Sequence, residues 1–526
     1  MFDRIFADPL DPARPLQKQI QERIVEAILA GLIVPHEPLP ATRVLSRLLD
    51  VSRNTVTLVY ERMAQDGYLV PVDRRGYFVD EAFLRQQTIP KGRTAPPVEA
   101  IATARHADLT GKMRQRPSSQ PSITKPKDWH RHPYPFVYGQ VAADPTSVSR
   151  WRDCIRQASR NEHLKSWMSD LVDADDPELV EQIQRRILPR RGFRARPEEI
   201  LVTNGAQSAL YLLARLFCGF GITVGVEDPG YADARNIFAL AGAEIRPIPV
   251  DGNGLKVDER LAGCSLVHVT PSHQAPTNVT MTMQRRLALL EAAERHDILI
   301  IEDDYEHEVN HVGPRQHALK GYDRCERVIH VGSLSKPVFP GLRLGFLVAP
   351  PEVVVELRAL RRLVYRHPSA LDQRAMAIFL ADGHYDAHIR RQQETFAVRW
   401  AAMLREIERR LPDCRPVMTT GGSAIWLKLP PGVRPEHVQA EALRRGVVVE
   451  VGDVHFAAPT PERNYLRLGF GAIATEAIAP GLARLADAIA AAAETQTSMA
   501  PSARTAAAQD AAALLSHERQ PARPLP

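Results

Sequence analysis

Lys336 stands in GSLSKPVFPGLRLG, residues 332–345, among small polar residues and seven positions before Arg343. An amine in such a loop can form an imine with an aldehyde, provided that its pKa is lowered. The residues able to complete that chemistry are scattered along the chain. In LVTNGAQSALYLL a strand, a tight turn and a helix follow one another, so the backbone N–H groups of Gly205, Ala206 and Gln207 offer an anion site at a helix N-terminus. Ser333, Ser335 and Arg343 are spaced to complete a phosphate cup, the arginine adding bidentate charge. ILIIEDDYEHE ends one strand with Asp303 and Tyr305, and EDPGY ends another with Tyr231. A carboxylate beside a pyridine nitrogen keeps it protonated, so that the ring acts as an electron sink; Asp303 suits that role. Tyr305 could donate to a ring hydroxyl, and Tyr231 could stack on the ring face. One lysine, one phosphate cup, one acid and two phenols fit one cofactor, pyridoxal 5′-phosphate. Singly, each motif has an ordinary explanation as a surface lysine, an acidic strand end or a packed aromatic. Their common place at strand ends is what joins them.

Such strand ends require a sheet. From about Trp129 to Ala490 short apolar runs alternate with helical stretches: EILVT, TVGVED, SLVHVT, ILIIEDD and RVIHVGS are β-branched and nearly free of polar interruptions. This pattern predicts an α/β domain over 129–490 with a parallel sheet covered on both faces. Residues 81–128 are rich in Pro, Ser, Thr and Ala and lose periodicity, which predicts a flexible linker. The tail over 491–526 is Ala-, Ser- and Pro-rich and is expected to be disordered.

Residues 10–80 carry a different pattern. PLQKQIQERIVEAILAGLI places Leu16, Ile20, Ile24, Ile28 and Leu32 at helical spacing, with an end near Gly31. A short helix is expected over Arg43 to Leu49, then a turn at Asp50-Val51. A second helix follows, capped by Ser52 and closed by Gly67. YLVPVDRRGYFV reads as a β-hairpin around its DRRG turn. In VSRNTVTLVYERM the apolar set Val51, Val56, Val59, Tyr60 and Met63 faces inward, leaving Arg53, Asn54, Thr55 and Thr57 on the first turn. A recognition helix offers that turn to base edges in the major groove. Arg53 is placed for a guanine edge, Thr55 and Arg43 for phosphate, and Arg74 and Arg75 put two charges at the wing tip. Residues 1–80 hold ten Lys/Arg against eleven Asp/Glu, so DNA binding rests on where the arginines cluster and not on overall charge.

Composition agrees with two domains: 526 residues exceed one ordinary core, and a net charge of +5 is too small to argue for nucleic acid by itself. The five cysteines form no CxxC pair, which argues against a metal site or a disulfide frame. The N-terminal MFDRIFADPLDP has acids where a signal peptide needs an apolar core, and no run reaches transmembrane length. A cytoplasmic protein without membrane partners is expected.

LPATRVLSRLLDVSRNTVTLVYERMAQDGYL resembles the GntR-type winged helix–turn–helix, and the set around Lys336 over 129–490 resembles the fold-type I aminotransferases. Together they are similar to the MocR subfamily of GntR regulators over nearly the whole chain. That resemblance implies a double-stranded DNA operator with repeated half-sites and a homodimer. It also implies an amino-acid or amine effector exchanged at Lys336, and it makes Arg467 of NYLRLGFG the holder of the ligand carboxylate. His273 and Gln274 are expected near the pocket. Members sensing compatible-solute or sulfonate-related amines look nearest. One departure stands out. Aminotransferases of this fold carry Asn-Pro-Thr-Gly, where this chain reads Ala275-Pro276-Thr277-Asn278, so Tyr305 alone is left to meet the ring hydroxyl. Three readings compete: a covalent sensor, a working aminotransferase with an accessory DNA-binding module, and a regulator whose large domain only dimerises. The fused DNA reader and Ala275 favour the sensor over the enzyme, and the retained Lys336, Asp303, Tyr305 and Arg343 disfavour the scaffold.

Overall fold

The structure, a computed structural model, describes residues 2–83, 109–313, 316–457 and 463–494. The chain divides into two compact units, residues 1–113 and 114–526. Most of the expected linker (84–108) and of the expected tail (495–526) lies outside the described residues.

Among the described residues the first unit contains α1 (Phe2–Ile5), α2 (Leu16–Leu29), α3 (Thr42–Leu48), α4 (Arg53–Gln65) and a hairpin of β1 (Leu69–Val72) and β2 (Gly76–Val79). Ile20, Ile24 and Ile28 of α2 pack on Val56, Val59, Tyr60 and Met63 of α4. Each such side chain, fully withdrawn from water, contributes roughly 1.5–3 kcal/mol before entropy is set against it. Leu32 departs from the helical expectation. The helix ends at Leu29, Gly31 turns the chain at φ +70°, and Leu32 is left 55% exposed. Ser52 caps α4 by accepting from the Thr55 N–H at 3.0 Å. The hydroxyl of Tyr60 donates to Pro40 O at 3.0 Å and ties the segment before α3 to the core.

The second unit holds an eight-stranded sheet of β3 (Ile200–Thr203), β4 (Thr223–Asp228), β5 (Glu244–Asp251), β6 (Gly254–Leu255), β7 (Leu266–Val269), β8 (Leu299–Asp304), β9 (Val328–Ser333) and β10 (Gly345–Val348), ordered β3-β10-β9-β8-β7-β4-β5-β6. The expected parallel run is found from β5 through β4, β7 and β8 to β9. Two strands depart from it: β10 is antiparallel to both β9 and β3, and the short β6 is antiparallel to β5. The segment from Leu334 to Leu344 is too short for a crossover and can only return its strand antiparallel. Helices α5 (Ala206–Phe217), α6 (Ala232–Leu240) and α7 (Met283–His296) connect the strands. A second sheet, β11 (Arg415–Pro416), β12 (Ala424–Lys428), β13 (Glu450–Val451) and β14 (Tyr465–Gly469), has the order β11-β12-β14-β13 and its own apolar cluster. Residues 114–128, expected as linker, belong to this unit. Gln115 Nε2 donates to Leu240 O at 2.9 Å and Asn236 Nδ2 to Pro121 O at 2.8 Å. No helix among the described residues is long and apolar enough to cross a membrane.

Candidate functional site

Lys336 lies in the loop between β9 and β10. The Ser335 hydroxyl donates to Leu344 O at 3.1 Å and accepts the Leu344 N–H at 3.2 Å, while the Lys336 N–H donates to Ser333 Oγ at 3.2 Å. Both serines therefore shape the loop as well as lining its cavity. Lys336 Nζ donates to the Tyr138 hydroxyl and lies 3.9 Å from the Tyr305 ring centroid. Burial pulls its pKa down to about 8, with the Glu306 carboxylate working in the other direction. An amine that titrates there is the kind that attacks carbonyls near neutral pH.

The residues expected around it do converge. Ala206, Gln207, Tyr231, Asp303, Tyr305, Ser333, Ser335, Arg343 and Arg467 line one cavity of about 290 Å³ with Lys336. Gly205 takes φ +78°, and a Cβ there would lie 3.1 Å from the Arg343 guanidinium. Glycine thus lets the α5 N-terminus and Arg343 close on the same space. Asp303, next to the end of β8, has one carboxylate oxygen 3.6 Å from His268 Nε2 and the other without a hydrogen-bond partner among the described residues. The buried Tyr305 hydroxyl faces that of Tyr138 and makes no short hydrogen bond among the described residues. Tyr231 OH donates to Asp233 at 3.4 Å, and Ala275 stands in the wall. An orphaned buried carboxylate oxygen, a buried phenol and an anion cradle beside a low-pKa lysine fit a phosphorylated pyridine aldehyde.

Two expectations fail. His273 faces a neighbouring cavity with Arg191 and Ser272, and burial pulls its pKa down to about 4. Gln274 is spent on the loop itself, its Nε2 donating to Glu227, Pro229 O and Ala275 O. Polar side chains in a buried turn serve the turn's own backbone first.

Tyr138 and Glu450 join the cavity without a sequence expectation. Tyr138, from PFVYGQ, touches Lys336 and carries the Arg467 guanidinium 3.2 Å above its ring. A lone tyrosine in an extended segment gives no sequence signal. Glu450 did give one, as a single acid inside VVVEV, since buried acids need a reason.

In the first unit the exposed start of α4 presents Arg53 and Asn54, with Thr55 half-buried. Arg53 Nε donates to Thr42 Oγ1 at 3.3 Å, and Thr55 Oγ1 lies 2.8 Å from Ser52 Oγ, so Thr55 serves the cap. Arg43 is exposed on α3, and Arg74 (φ +57°) and Arg75 are exposed on the β1–β2 turn. The expected basic set is thus exposed on this unit, with Arg74 Nε 3.9 Å from the Asp73 carboxylate and Arg75 lying 5.2 Å over the Phe78 ring.

Comparison with known proteins bears on both units. The profile "Bacterial regulatory proteins, gntR family" matches residues 16–79, and "Aminotransferase class I and II" matches 150–485. The chain is 40% identical over 474 residues to the HTH-type transcriptional regulator TauR of Rhodobacter capsulatus, covering 90% of this chain and 96% of that one. It is 33% identical over 404 residues to the probable rhizopine catabolism regulatory protein MocR of Rhizobium meliloti, covering 76% and 78%. Among solved structures it superposes on LysN, an α-aminoadipate aminotransferase of Thermus thermophilus complexed with N-(5′-phosphopyridoxyl)-L-leucine. That match has a TM-score of 0.66 and 25% identity, over 73% of this chain and 99% of that one. The chain therefore belongs to the MocR-type GntR regulators, in which a winged helix–turn–helix is joined to an aminotransferase-like domain of fold type I.

Proposed function

We propose that this transcription regulator holds pyridoxal 5′-phosphate at Lys336 and uses it to sense an amino acid or amine. The observation that carries this reading is the buried Lys336 amine, lowered to about 8 beside an orphaned Asp303 oxygen and the Gly205–Arg343 cradle. When bound, the cofactor supplies a carbonyl carbon that amines attack reversibly. This chain's residues do the rest. Lys336 offers a neutral amine at moderate pH, and the Tyr138 hydroxyl holds its nitrogen in place. Asp303, 3.6 Å from His268 Nε2, would keep a proton on a ring nitrogen, and the Tyr305 hydroxyl, beside that of Tyr138, would donate to a ring oxygen. The backbone N–H groups of Gly205, Ala206 and Gln207, with Arg343, meet a phosphate, and Tyr231 backs the ring face. Arg467 meets the ligand's carboxylate. Effector binding shifts a conformational equilibrium of the large unit and so the DNA affinity of the first.

We further propose that DNA contact runs through Arg43, Arg53, Asn54, Thr55, Arg74 and Arg75, and that the regulator acts as a cytoplasmic homodimer on paired half-sites. The working division assigns 10–80 to DNA, 114–490 to effector reading, and the intervening chain to the linker. The second reading, a working aminotransferase, is disfavoured by Ala275, which removes the amide that aminotransferases of this fold offer to the ring oxygen and leaves that role to Tyr305. Absorbance spectra of the parent and Lys336→Ala, followed during addition of amines and an oxo acid, test both. A visible cofactor band present only in the parent, shifting with an amine but giving no sustained product, supports the sensor. Multiple turnovers favour the enzyme, and no band after cofactor addition contradicts both.

A further inference from the structure

Beside the lysine lies a pair of opposite charges, of which the reading above uses Arg467 and leaves Glu450 without a role. Glu450 and Arg467 are cross-strand partners on β13 and β14, and both line the cavity that holds Lys336. Both are buried, Glu450 to 4% exposure and Arg467 to 1%. One Glu450 oxygen accepts the Tyr138 N–H at 3.3 Å, and the other, Oε2, has no partner among the described residues. Arg467 Nε and Nη2 are likewise without partners, because the guanidinium is stacked on the Tyr138 ring. The two charges thus stand side by side without forming an ion pair with each other or with any other described residue. Burial raises the Glu450 pKa, and Arg467 and Lys125 act against that rise. Leaving a buried acceptor and two buried donors unmet is costly unless something enters to meet them.

We infer that Glu450 is a specificity-determining residue of the effector pocket, accepting an N–H from a ligand whose carboxylate is held by Arg467. The inference rests on the effector reading of the pocket and adds a chemical class to it. An acceptor next to a pair of donors is the complement of a zwitterionic end, a carboxylate with a nitrogen donor on the adjoining carbon. A simple amino acid whose only nitrogen reacts at Lys336 leaves Glu450 Oε2 unmet, and the carboxylate then faces another carboxylate. The preferred effector therefore carries a second nitrogen. Lys125, at the rim of the same cavity and exposed, is the one rival: its ammonium could swing onto Glu450 instead.

The test is calorimetric titration of the full-length, cofactor-loaded protein with two probes that share a skeleton, 3-aminopropionate and 2,3-diaminopropionate. A hydrogen bond to a buried carboxylate predicts that the parent prefers the diamino probe by about tenfold or more. Glu450→Gln is expected to collapse that ratio to near one, and Lys125→Gln to retain it. Thermal denaturation checks folding, with Glu450→Asp as the substitute if Glu450→Gln does not fold. A parent ratio near one, a diamino probe that does not bind, or a collapse with Lys125→Gln as complete as with Glu450→Gln overturns the inference. The covalent reading fails separately: a parent without the visible cofactor band that still keeps the ratio contradicts the cofactor at Lys336 and leaves Glu450 in its role.

Discussion

An ordinary lysine titrates near 10.4, so at pH 7 only ~1 amine in 2500 is neutral. Burial brings Lys336 to about 8, so ~1 in 11 is neutral, a gain of ~200-fold in the reactive form. Removing the ammonium from water in this cavity thus corresponds to about 3 kcal/mol of differential solvation. Capture of added pyridoxal 5′-phosphate by the cofactor-free protein should therefore quicken about tenfold per pH unit below 8 and level off above it. An exposed lysine would keep quickening to beyond 10. The assay is the initial rate of covalent attachment between pH 6.5 and 10.5, with borohydride trapping and peptide mass to place the attachment at Lys336. Glu306 is the largest charge that favours the ammonium, so Glu306→Gln should move the break to lower pH. A rate that climbs without a break through pH 10, or a break that moves up in Glu306→Gln, would refute the link between burial and reactivity.

Gly205→Ala forces a side chain into φ +78° and against Arg343. It should cost about 1–3 kcal/mol of stability and weaken cofactor retention, read by thermal melting and by dialysis. Arg53→Ala should lower affinity for a cognate operator and relax base preference at one position, costing ~1–3 kcal/mol. Arg74→Ala should instead weaken all sequences alike and lower the salt slope of binding by about one, measured by fluorescence anisotropy at several salt concentrations. Arg191 donates to Asp304 at 2.6 Å, both fully buried, and although burial opposes it this contact holds Asp304 below the usual carboxylate range. Asp304→Asn should cost roughly 3–5 kcal/mol in denaturant unfolding. The sign follows from the lowered pKa: the contribution is full at neutral pH and is lost as pH falls through it, so parent and variant converge only at strongly acid pH.

Much of the site was legible because it sits at strand ends, and apolar β-branched runs mark those ends in any sequence. Asp303 and Tyr305 at the end of LIIEDD, the Gly205 turn after ILVT and Lys336 after VIHVGS each follow a run that could be read. Ser52 and Gly67 were readable for a similar reason, since cap chemistry is local. What escaped depends on contacts distant in sequence. Tyr138 reaches Lys336 across 198 residues, and nothing near it in the chain announces that meeting. The antiparallel turn of β10 escaped because periodicity identifies a strand and not its direction. His273 and Gln274 looked like pocket residues because they are polar and follow a strand. Gln274 is consumed by the buried backbone and acid around it, while His273 turns into the neighbouring cavity.

The central claim is that the Lys336 pocket governs DNA binding. The most direct test measures affinity for the DNA upstream of the regulator's own gene, for the parent and Lys336→Ala, each with cofactor and each with and without 2,3-diaminopropionate and other amines. The account predicts that at least one amine changes the parent's affinity several-fold and leaves Lys336→Ala unmoved, while both proteins bind the fragment. Equal responses in the two proteins would contradict it.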